Sequence, residues 1–528
     1  MNEIQRLQKK FEAGRISRRE FISRATAIGA AAAVPGSLFS GPAAAAPKKG
    51  GHFKLGLGQG STTDSLDPAT YLDTYMQTIG NAVYSYVAVV DNNGDIAPDL
   101  AESIEPSPDA KVWTAKIRKG VEFHDGKPVT PEDVIATYQY HMGEESKSAA
   151  KSLLAAVTDM KVDGDNVVFT LSAGNADFPY IMTDYHLGIL PTKDGKPVDP
   201  TSGIGSGGYA VETYDPGVKS ILKRNPNYYN DDNAHFDSIE SLVIKDVAAR
   251  TTALTTGEIH AMNRCDLKTV HLLKRQKGLQ VIQTTGTQHY SMPMITKQAP
   301  FDDNNIRMAL KHAIDRETIV KTVLRGYGQV GNDHPIGPSQ KYFNKDLPQR
   351  AYDPDKARYY LKQAGLDSLK IDLSAADAAF AGAVDTAVLF KEHAAKAGID
   401  VNVIREPDDG YWSNVWMNKP FCMCYWGGRP TEDWMFTTAY AAGAEWNDSF
   451  WSNDRFNELL LAARAELDES KRRTMYYEMQ EIVSNEGGVM VPMFASYVMA
   501  ASDKIGMPKL AANWDMDGLR AMMRWWMV

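Results

Sequence analysis

The spacings in this sequence that could do chemistry are few, and none completes a catalytic motif. Residues 205–210 match G-x-G-x-x-A, but this loop leads into a predicted strand, whereas a dinucleotide cradle opens a helix. Residues 148–151 and 220–223 match S-x-x-K, yet no S-D-N or K-T-G segment follows. H-E-x-x-H, C-x-x-C, Walker A and G-x-S-x-G runs are absent. The sequence therefore favours a binding protein over an enzyme.

Metal and disulfide chemistry is equally poorly supported. The 11 His residues are scattered without ligand spacing, so we predict no metal site and no cofactor. Cys265, Cys422 and Cys424 permit at most one disulfide bond. Cys422 and Cys424 lie two positions apart in an apolar run, which is a poor geometry for bonding each other.

Composition and charge exclude several classes of protein. The 528 residues, 43% of them hydrophobic, can bury a sizeable core and allow two to four domains. Lys and Arg number 57 against 66 Asp and Glu, a net charge of −9, which argues against a nucleic-acid-binding surface. No segment beyond residue 46 reaches 18 consecutive apolar residues, so an integral membrane protein is not expected.

Residues 1–45 are predicted to be a twin-arginine signal peptide. Residues 17–22 (SRREFI) carry the Arg pair, a weakly apolar Ala/Gly-rich stretch follows at 25–39, and an A-x-A type site ends the segment. We expect cleavage near Ala45; the alternative is an Ala-rich tail with a chance Arg pair. Cleavage removes seven basic and three acidic residues, which leaves 50 against 63 and a net charge of −13. The mature protein is thus expected to be acidic and periplasmic.

Strand and helix patterns alternate along the rest of the chain, which predicts an α/β or mixed α+β protein. Residues 51–57, 112–118, 166–171 and 220–223 alternate as strands, and 489–500 is a further strand-like run. Helix-start chemistry, with a cap residue, Pro and acidic residues, occurs at 130–135 and again at 353–357. Helical spacing runs through 306–313 and 315–324, and a long amphipathic stretch covers 456–483.

Several blocks, in order along residues 50–500, resemble one family. They are LAESIE (100–105), WTAKIRKGVEFHDGK (113–127), GGY (207–209) with RNPNYY (224–229), TTGEI (255–259) and the FDD segment (301–303) with Arg307 and AIDR (313–316). The chain thereby resembles the extracytoplasmic solute-binding proteins of ABC transporters, of the dipeptide, oligopeptide and nickel type (family 5). Tyr229 departs from the pattern, since Trp is usual there.

The resemblance implies an α/β, two-lobed periplasmic-binding-protein fold, type II-like, with an extra subdomain in the first lobe. Lobe I would comprise 46–290 plus 497–528, and lobe II 291–496. Two chain crossings, near 288–296 and 489–497, would form the hinge, because extended segments can absorb the backbone change while each lobe keeps its own core. A ligand clamped between the lobes would make contacts only on closure, which drives that closure.

The segment 425–434 (YWGGRPTEDW) is the best candidate for ligand contact. A buried zwitterion needs fixed counter-charges, and the segment resembles the family's loop whose acid meets a peptide's amino group. By that register Glu432 takes the acidic position, Asp433 replaces a Pro, and Arg429 falls where several relatives have Asp. Arg429 could hold a carboxylate through two parallel hydrogen bonds. The alternative is a surface salt-bridge cluster, or Arg429 paired with Glu432.

Aromatic and small polar residues are expected to complete the pocket. The candidates are Tyr425 and Trp426 beside the loop, Trp412 on a nearby helix-like stretch, Tyr290 and Met292 on the first crossing, and Thr62 after the first strand. Core packing is the alternative for the Trp residues and a plain turn is the alternative for Thr62.

The sequence and the resemblance together predict a monomeric periplasmic receptor. It would capture a dipeptide or short peptide-like zwitterion and deliver it to the permease subunits of an ABC importer, without catalysis. The alternatives are the same fold binding an opine-like amino-acid derivative, an oligosaccharide or a metal chelate. An exported hydrolase using Glu432 and Asp433 is disfavoured, because adjacent residues on a strand face opposite ways whereas two catalytic carboxylates flank one bond.

Overall fold

The computed structural model describes residues 47–528, except residues 147, 408–410 and 445. The predicted signal peptide and its cleavage site near Ala45 lie outside the described residues. Residues 48–528 form one compact unit. Within the described chain, no helix combines the length and the apolar character needed to cross a membrane.

Strands are distributed along the whole chain. In order they are β1 His52–Leu57, β2 Ala88–Val90, β3 Ile96–Pro98, β4 Ala101–Pro106, β5 Val112–Ile117, β6 Val157–Asp163, β7 Asn166–Leu171, β8 Thr192–Lys193, β9 Lys196–Pro197, β10 Tyr209–Asp215, β11 Lys219–Arg224, β12 Ser238–Val243, β13 Ala261–Met262, β14 Leu279–Pro293, β15 Gly328–Val330, β16 Leu369–Ala375, β17 Ile399–Arg405, β18 Cys424–Trp426, β19 Val489–Ser502, β20 Ile505–Gly506 and β21 Trp526–Met527.

Helices alternate with these strands. In order they are α1 Thr74–Val83, α2 Pro131–Met142, α3 Ala150–Leu153, α4 Phe178–Ile181, α5 Val247–Thr256, α6 Val270–Leu273, α7 Asn304–His312, α8 Arg316–Thr322, α9 Pro354–Gln363, α10 Ala383–Ala395, α11 Tyr411–Asn414, α12 Glu432–Ala439, α13 Asp454–Ala465, α14 Glu469–Glu486 and α15 Ala521–Arg524. The predicted mixture of helix and strand is confirmed.

Local sequence signals explain many of these elements. Thr130 and Asp133 form a capping box at the start of α2, with Pro131 in the first turn. Asp353 caps α9 with Pro354 at its first position, and Gly365 follows the helix end with a φ of 76°. The long stretch predicted at 456–483 is two helices, α13 and α14. They are separated because the Asp468 side chain accepts hydrogen bonds from two backbone N–H groups and so begins a new helix.

Nine strands of the described chain form the main sheet. Across the sheet their order is β10, β11, β12, β1, β13, β19, β14 and β18, and β15 also pairs with β19. β1 pairs in parallel with β12 and β13, while the remaining pairs are antiparallel. The two longest strands, β14 and β19, pair from Leu279 opposite Ser502 to Pro293 opposite Val489.

A second, antiparallel sheet has the strand order β4, β5, β7, β6 and has its own hydrophobic core, which contains Trp113, Phe169 and Phe178. It lies within the segment where the resemblance implies an extra subdomain. Further along the chain, β16 and β17 pair in parallel, and α10 connects them and packs against both.

The buried apolar residues form separate cores, which divide the molecule into two halves. In the first half, Phe53 and Tyr75 pack with Trp525, so the chain end returns to the core of the first strand. In the second half, one core surrounds Phe390 and another surrounds Phe436. β14 and β19 run from one half to the other. This division agrees with a two-lobed architecture; the lobe boundaries remain a prediction.

All three cysteines are unbonded and buried. Burial raises the pKa of the Cys265 thiol to about 12, and it also raises the pKa values of Cys422 and Cys424. Because a thiol reacts as its thiolate, these side chains are chemically inert in the folded protein.

Candidate functional site

A short loop, residues 427–431, joins β18 to α12 where the two halves meet. β18 pairs with β14, so the loop is fixed to a long strand shared by both halves. Gly428 has a φ of +76°, and a Cβ atom there would lie only 2.1 Å from Oγ1 of Thr287. Thr431 then caps α12 by accepting a hydrogen bond from the backbone N–H of Trp434. The loop therefore lies directly on β14, and a glycine is required for this close approach.

A cavity of about 400 Å³ lies between the halves beside this loop. From the first half it is lined by the turn at 92–94, the segment around Asp177 and Tyr180, and the C-terminal segment 509–513. From the second half it is lined by residues 338–342, by Pro430, Thr431 and Glu432, and by the start of α14. Its volume falls in the range of small-molecule sites.

Three polar side-chain atoms that line this cavity have no hydrogen-bond partner in the described protein. They are Oγ1 of Thr287, Oγ of Ser339 and Oδ1 of Asn513. Buried polar groups are almost always hydrogen-bonded, and leaving one without a partner costs about 1–3 kcal/mol. These buried atoms come from both halves, so both walls of the cavity contain polar side chains with unused hydrogen-bonding capacity.

The halves are joined at the cavity by a buried ion pair. Arg472 of α14 donates to Asp177 of the first half, with Nη1 2.8 Å from Oδ1 and Nη2 2.7 Å from Oδ2. Their side chains are only 7% and 9% exposed. Beside them the backbone N–H of Ala176 donates to the carbonyl oxygen of Arg464 at 2.7 Å. The structure is thus closed along this edge of the cavity.

Glu432 and Asp433, the two predicted acids, face different surroundings. Glu432 lines the cavity, is 3% exposed, and accepts a hydrogen bond from the backbone N–H of Tyr342 at 2.7 Å. Asp433 instead pairs with Nε of Arg464 at 3.1 Å. Burial raises the pKa of Glu432 to about 7 and that of Asp433 to about 6. Although they are neighbours on the helix, Glu432 presents a carboxyl group to the cavity, whereas Asp433 forms an ion pair within the protein.

The raised pKa of Glu432 predicts a specific pH dependence of stability. The folded state holds the proton up to about pH 7, whereas an unfolded Glu releases it near pH 4.3. Stability from this group is therefore fully present at low pH and falls as the pH rises from about 4 to 7, by up to about 3 kcal/mol. Glu432→Gln keeps an acceptor for Tyr342 and stays neutral, so the variant is expected to be more stable than wild type at pH 8.

Urea denaturation at pH 5 and pH 8 measures this effect, and the gain of Glu432→Gln should be larger at pH 8. Glu478→Gln is the matched control, because this exposed acid pairs with Arg455, which lowers its pKa, so its substitution should add no stability at pH 8. An identical pH dependence for wild type and Glu432→Gln would contradict the expectation.

Arg429 lies in the loop beside the cavity and is not paired with Glu432. Its Nη1 donates to the carbonyl oxygen of Gly428 at 2.7 Å, and its guanidinium carbon lies 6.0 Å from the centre of the Trp426 ring. No described carboxylate lies within 4.0 Å of it. Burial lowers the pKa of Arg429, while Tyr185 of the first half acts in the opposite direction. The alternative interpretation, a salt bridge between Arg429 and Glu432, is therefore not found among the described residues.

Three of the predicted aromatic residues belong to an aromatic wall, which we define as Trp412, Trp416, Tyr425, Trp426 and Trp446. Trp412 contacts Tyr425 edge-on with 5.5 Å between ring centres, and Trp426 lies 6.1 Å from Trp446. Trp412 and Tyr425 are 40% and 41% exposed, whereas Trp426 is buried. Trp416 is partly buried against the two cores of the second half, and its Nε1 donates to Oδ2 of Asp448 at 3.1 Å. Within the aromatic wall, Trp412, Tyr425 and Trp446 are the members with exposed ring surface.

Neither the aromatic wall nor the remaining predicted contacts are among the residues that line the cavity. Tyr290 stacks on Phe380 with 3.9 Å between ring centres and is partly buried. Met292 is 1% exposed and packs in the core of the second half, so it offers no surface to a ligand here. Thr62 is exposed in a turn closed by Ser61 and Asp64, which matches the plain-turn alternative.

Several cavity residues had no signal in the sequence. Asp177 and Arg472 are 295 positions apart, and no local pattern connects them. Ser339, Lys509 and Asn513 lie in segments without regular secondary structure, where periodicity carries no information. Their grouping follows from tertiary packing alone. No cluster of three or more His, Cys, Asp or Glu suited to a metal occurs among the described residues.

Comparisons with known proteins agree on one family. Residues 95–448 match the description "Bacterial extracellular solute-binding proteins, family 5 Middle". The chain is 28% identical to the oligopeptide-binding protein AppA of Bacillus subtilis over 60% of each chain. It is 25% identical to di/tripeptide-binding protein 1 of Pseudomonas aeruginosa over 88% of this chain and 93% of that protein.

A solved structure shows the same fold. The dipeptide-binding protein of Pseudoalteromonas sp. SM9913, in complex with Met-Leu, superposes with a TM-score of 0.70 over 90% of this chain and 100% of that chain, at 19% identity. At that identity the likeness concerns the fold alone. It confirms the predicted α/β fold class of periplasmic binding proteins.

Proposed function

Because the chain belongs to the bacterial extracellular solute-binding proteins of family 5, we propose that it is the substrate-binding component of an ABC importer. It captures a dipeptide or short peptide-like zwitterion between its two halves and delivers it to the permease subunits. The observation that carries this proposal is the cavity between the halves, which is lined by polar residues from both of them. Two relatives named for peptide binding support the class of cargo.

The location and mode of action follow from the same proposal. The protein works in the periplasm as a monomer, after export by the twin-arginine route and cleavage near Ala45; the N-terminal residue of the exported protein tests the cleavage. It performs no catalysis, so a peptide incubated with it is recovered unchanged. The aromatic wall, exposed at Trp412 and Tyr425, accepts the apolar side chains of a peptide.

A thermal-shift screen of the purified protein against dipeptides, opines and oligosaccharides tests the proposal. A ligand that binds only the folded state adds about 2.7 kcal/mol at 100 times its Kd, so a peptide cargo is expected to raise the melting temperature. If no peptide shifts the transition, the peptide assignment is wrong.

The contribution of the aromatic wall is tested with Trp412→Ala and Met-Leu as the probe. Loss of one aromatic contact is expected to weaken binding by about 1 kcal/mol, or roughly fivefold. Leu461→Ala is the matched control, since Leu461 is also an exposed apolar side chain, on α13, outside the wall and the cavity. Equal weakening in both variants would remove the wall from the site.

A further inference from the structure

The acidic and the basic side chains around the cavity differ in whether they already have a partner of opposite charge or a hydrogen-bond partner. Every carboxylate that lines the cavity already has a partner in the described protein. Asp177 pairs with Arg472, Glu469 pairs with Lys341 at 2.6 Å, and Glu466 accepts from the backbone N–H of Asp468 at 2.8 Å. Glu432 is buried and already accepts a hydrogen bond from the backbone N–H of Tyr342.

Two cations at the same place lack a carboxylate partner among the described residues. Lys509 lines the cavity from the first half, and among the described residues its Nζ donates a hydrogen bond only to Oδ1 of Asn93, at 2.8 Å. Arg429 lies beside the cavity on the second half, and its only side-chain hydrogen bond within the described chain is to the carbonyl oxygen of Gly428. The unpaired charge in and beside the cavity is therefore positive: Lys509 lines it, and Arg429 adjoins the lining residues Pro430 and Thr431.

This imbalance decides which end of a zwitterion the cavity can hold. An ammonium group needs a free carboxylate, because a charge removed from water without a partner is strongly disfavoured. Asp433 pairs with Arg464, so it could bind an ammonium group only if that ion pair were broken. A carboxylate, in contrast, can accept parallel hydrogen bonds from the guanidinium of Arg429, which has donors to spare.

We infer that the cavity recognises its cargo by a carboxylate, bound by Arg429 with Lys509 adding positive potential from the opposite wall, and that a free amino group is not required. This inference rests on the proposed function, since it concerns the same cavity. It extends the cargo from zwitterionic peptides to N-blocked peptides and other organic acids. It also distinguishes this chain from a receptor whose loop presents a free acid to a peptide's amino group.

Isothermal titration of the purified protein with Met-Leu, N-acetyl-Met-Leu and Met-Leu amide tests the inference. N-acetylation is expected to change the Kd by less than about threefold, whereas amidation, which removes the carboxylate, should weaken binding by about 30-fold or more. The opposite order, with the amide retained and the acetylated peptide lost, would overturn the inference and leave the receptor function standing.

Variants connect the effect to named side chains. Arg429→Gln should weaken N-acetyl-Met-Leu by about 10- to 100-fold and have little further effect on the amide, because that ligand lacks the group Arg429 binds. Lys509→Gln should show a smaller loss that shrinks further at high salt. Arg455→Gln is the matched control and should leave all three Kd values unchanged, because this exposed arginine of α13 pairs with Glu478 of α14 and neither residue lines the cavity. An Arg429→Gln protein with the wild-type Kd for the acetylated peptide would overturn the inference.

The two proposals can fail separately. If no form of the peptide binds, the peptide cargo is wrong, and the probes become the opine octopine, a carboxylate, and the neutral sugar maltotriose. Binding of octopine that is weakened by Arg429→Gln supports the inference without the peptide. Binding of maltotriose alone, or of none of these probes, overturns it.

Discussion

Asp333→Asn is expected to lower the free energy of unfolding by about 3–5 kcal/mol, the scale of a broken buried ion pair. Asp333 is fully buried, and its Oδ2 accepts from Nη2 of Arg316 at 2.6 Å and from Nε of Arg350 at 2.9 Å. Its Oδ1 also accepts from the backbone N–H of Val491, at the start of β19. Asn preserves the side-chain shape and tolerates the φ of 61° at this position, so the variant isolates the loss of charge.

Acid should remove the same stabilisation from the wild type. Burial would raise the pKa of Asp333, but Arg316 and Arg350 outweigh it and hold the pKa below its usual range. With a lowered folded pKa, the stabilisation is present above the unfolded value of about 3.9 and is lost as the pH falls through the folded value.

Denaturant unfolding between pH 3 and pH 8 measures both effects of Asp333. The Asn variant should lack this part of the acid dependence. Glu478→Gln is the control, because its pair with Arg455 is exposed and should contribute less than about 1 kcal/mol. If the free energy of unfolding of Asp333→Asn lies within about 1 kcal/mol of that of the control, the ion-pair argument is contradicted.

Arg472→Gln is expected to open the protein and to weaken ligand binding by roughly 100-fold. The substitution leaves the Asp177 carboxylate buried without its cation, a cost of about 3–5 kcal/mol in the closed arrangement. Because Asp177 becomes hydrated when the halves separate, the protein can avoid that cost by opening. The closed population, and with it the apparent affinity, should therefore fall while each half stays folded.

Small-angle scattering without ligand separates opening from a lost ligand contact, since Arg472 also lines the cavity. The radius of gyration should increase for Arg472→Gln and for Asp177→Asn, but not for the surface control Arg455→Gln. The double variant, with two neutral amides in contact, should recover part of the compactness. An unchanged radius of gyration and Kd would show that this pair does not hold the halves together.

How much the sequence could predict depends on the range of the interactions involved. The strand at 166–171 and the capped start of α2 follow from neighbouring residues, and both lie where the sequence predicts them. Met292 shows where local reasoning stops. The pairing of β14 with β19 shifts register between Tyr290 and Met292, so the alternation of sides that a regular strand implies breaks there.

The candidate site could be predicted from the sequence only in part, for the same reason. The loop 425–434 could be identified from its charged residues and its resemblance to the family's loop, and the structure places Glu432 at the cavity and Arg429 beside it. That Asp433 is occupied by Arg464, and that Asp177 meets Arg472, depends on how distant segments pack. No spacing rule connects residues on separate elements. Which charged side chains are paired with each other therefore could not be deduced before the fold was known.

The burial of all three thiols has a practical consequence for spectroscopy. With Cys265, Cys422 and Cys424 inert in the folded protein, no native cysteine has to be removed before maleimide labelling. Cysteines introduced at the exposed positions Val198 and Val388, one in each half, can therefore carry a donor and an acceptor fluorophore. Energy transfer between the two fluorophores would report the opening and closing of the two halves in individual molecules in real time, with the rest of the sequence unchanged.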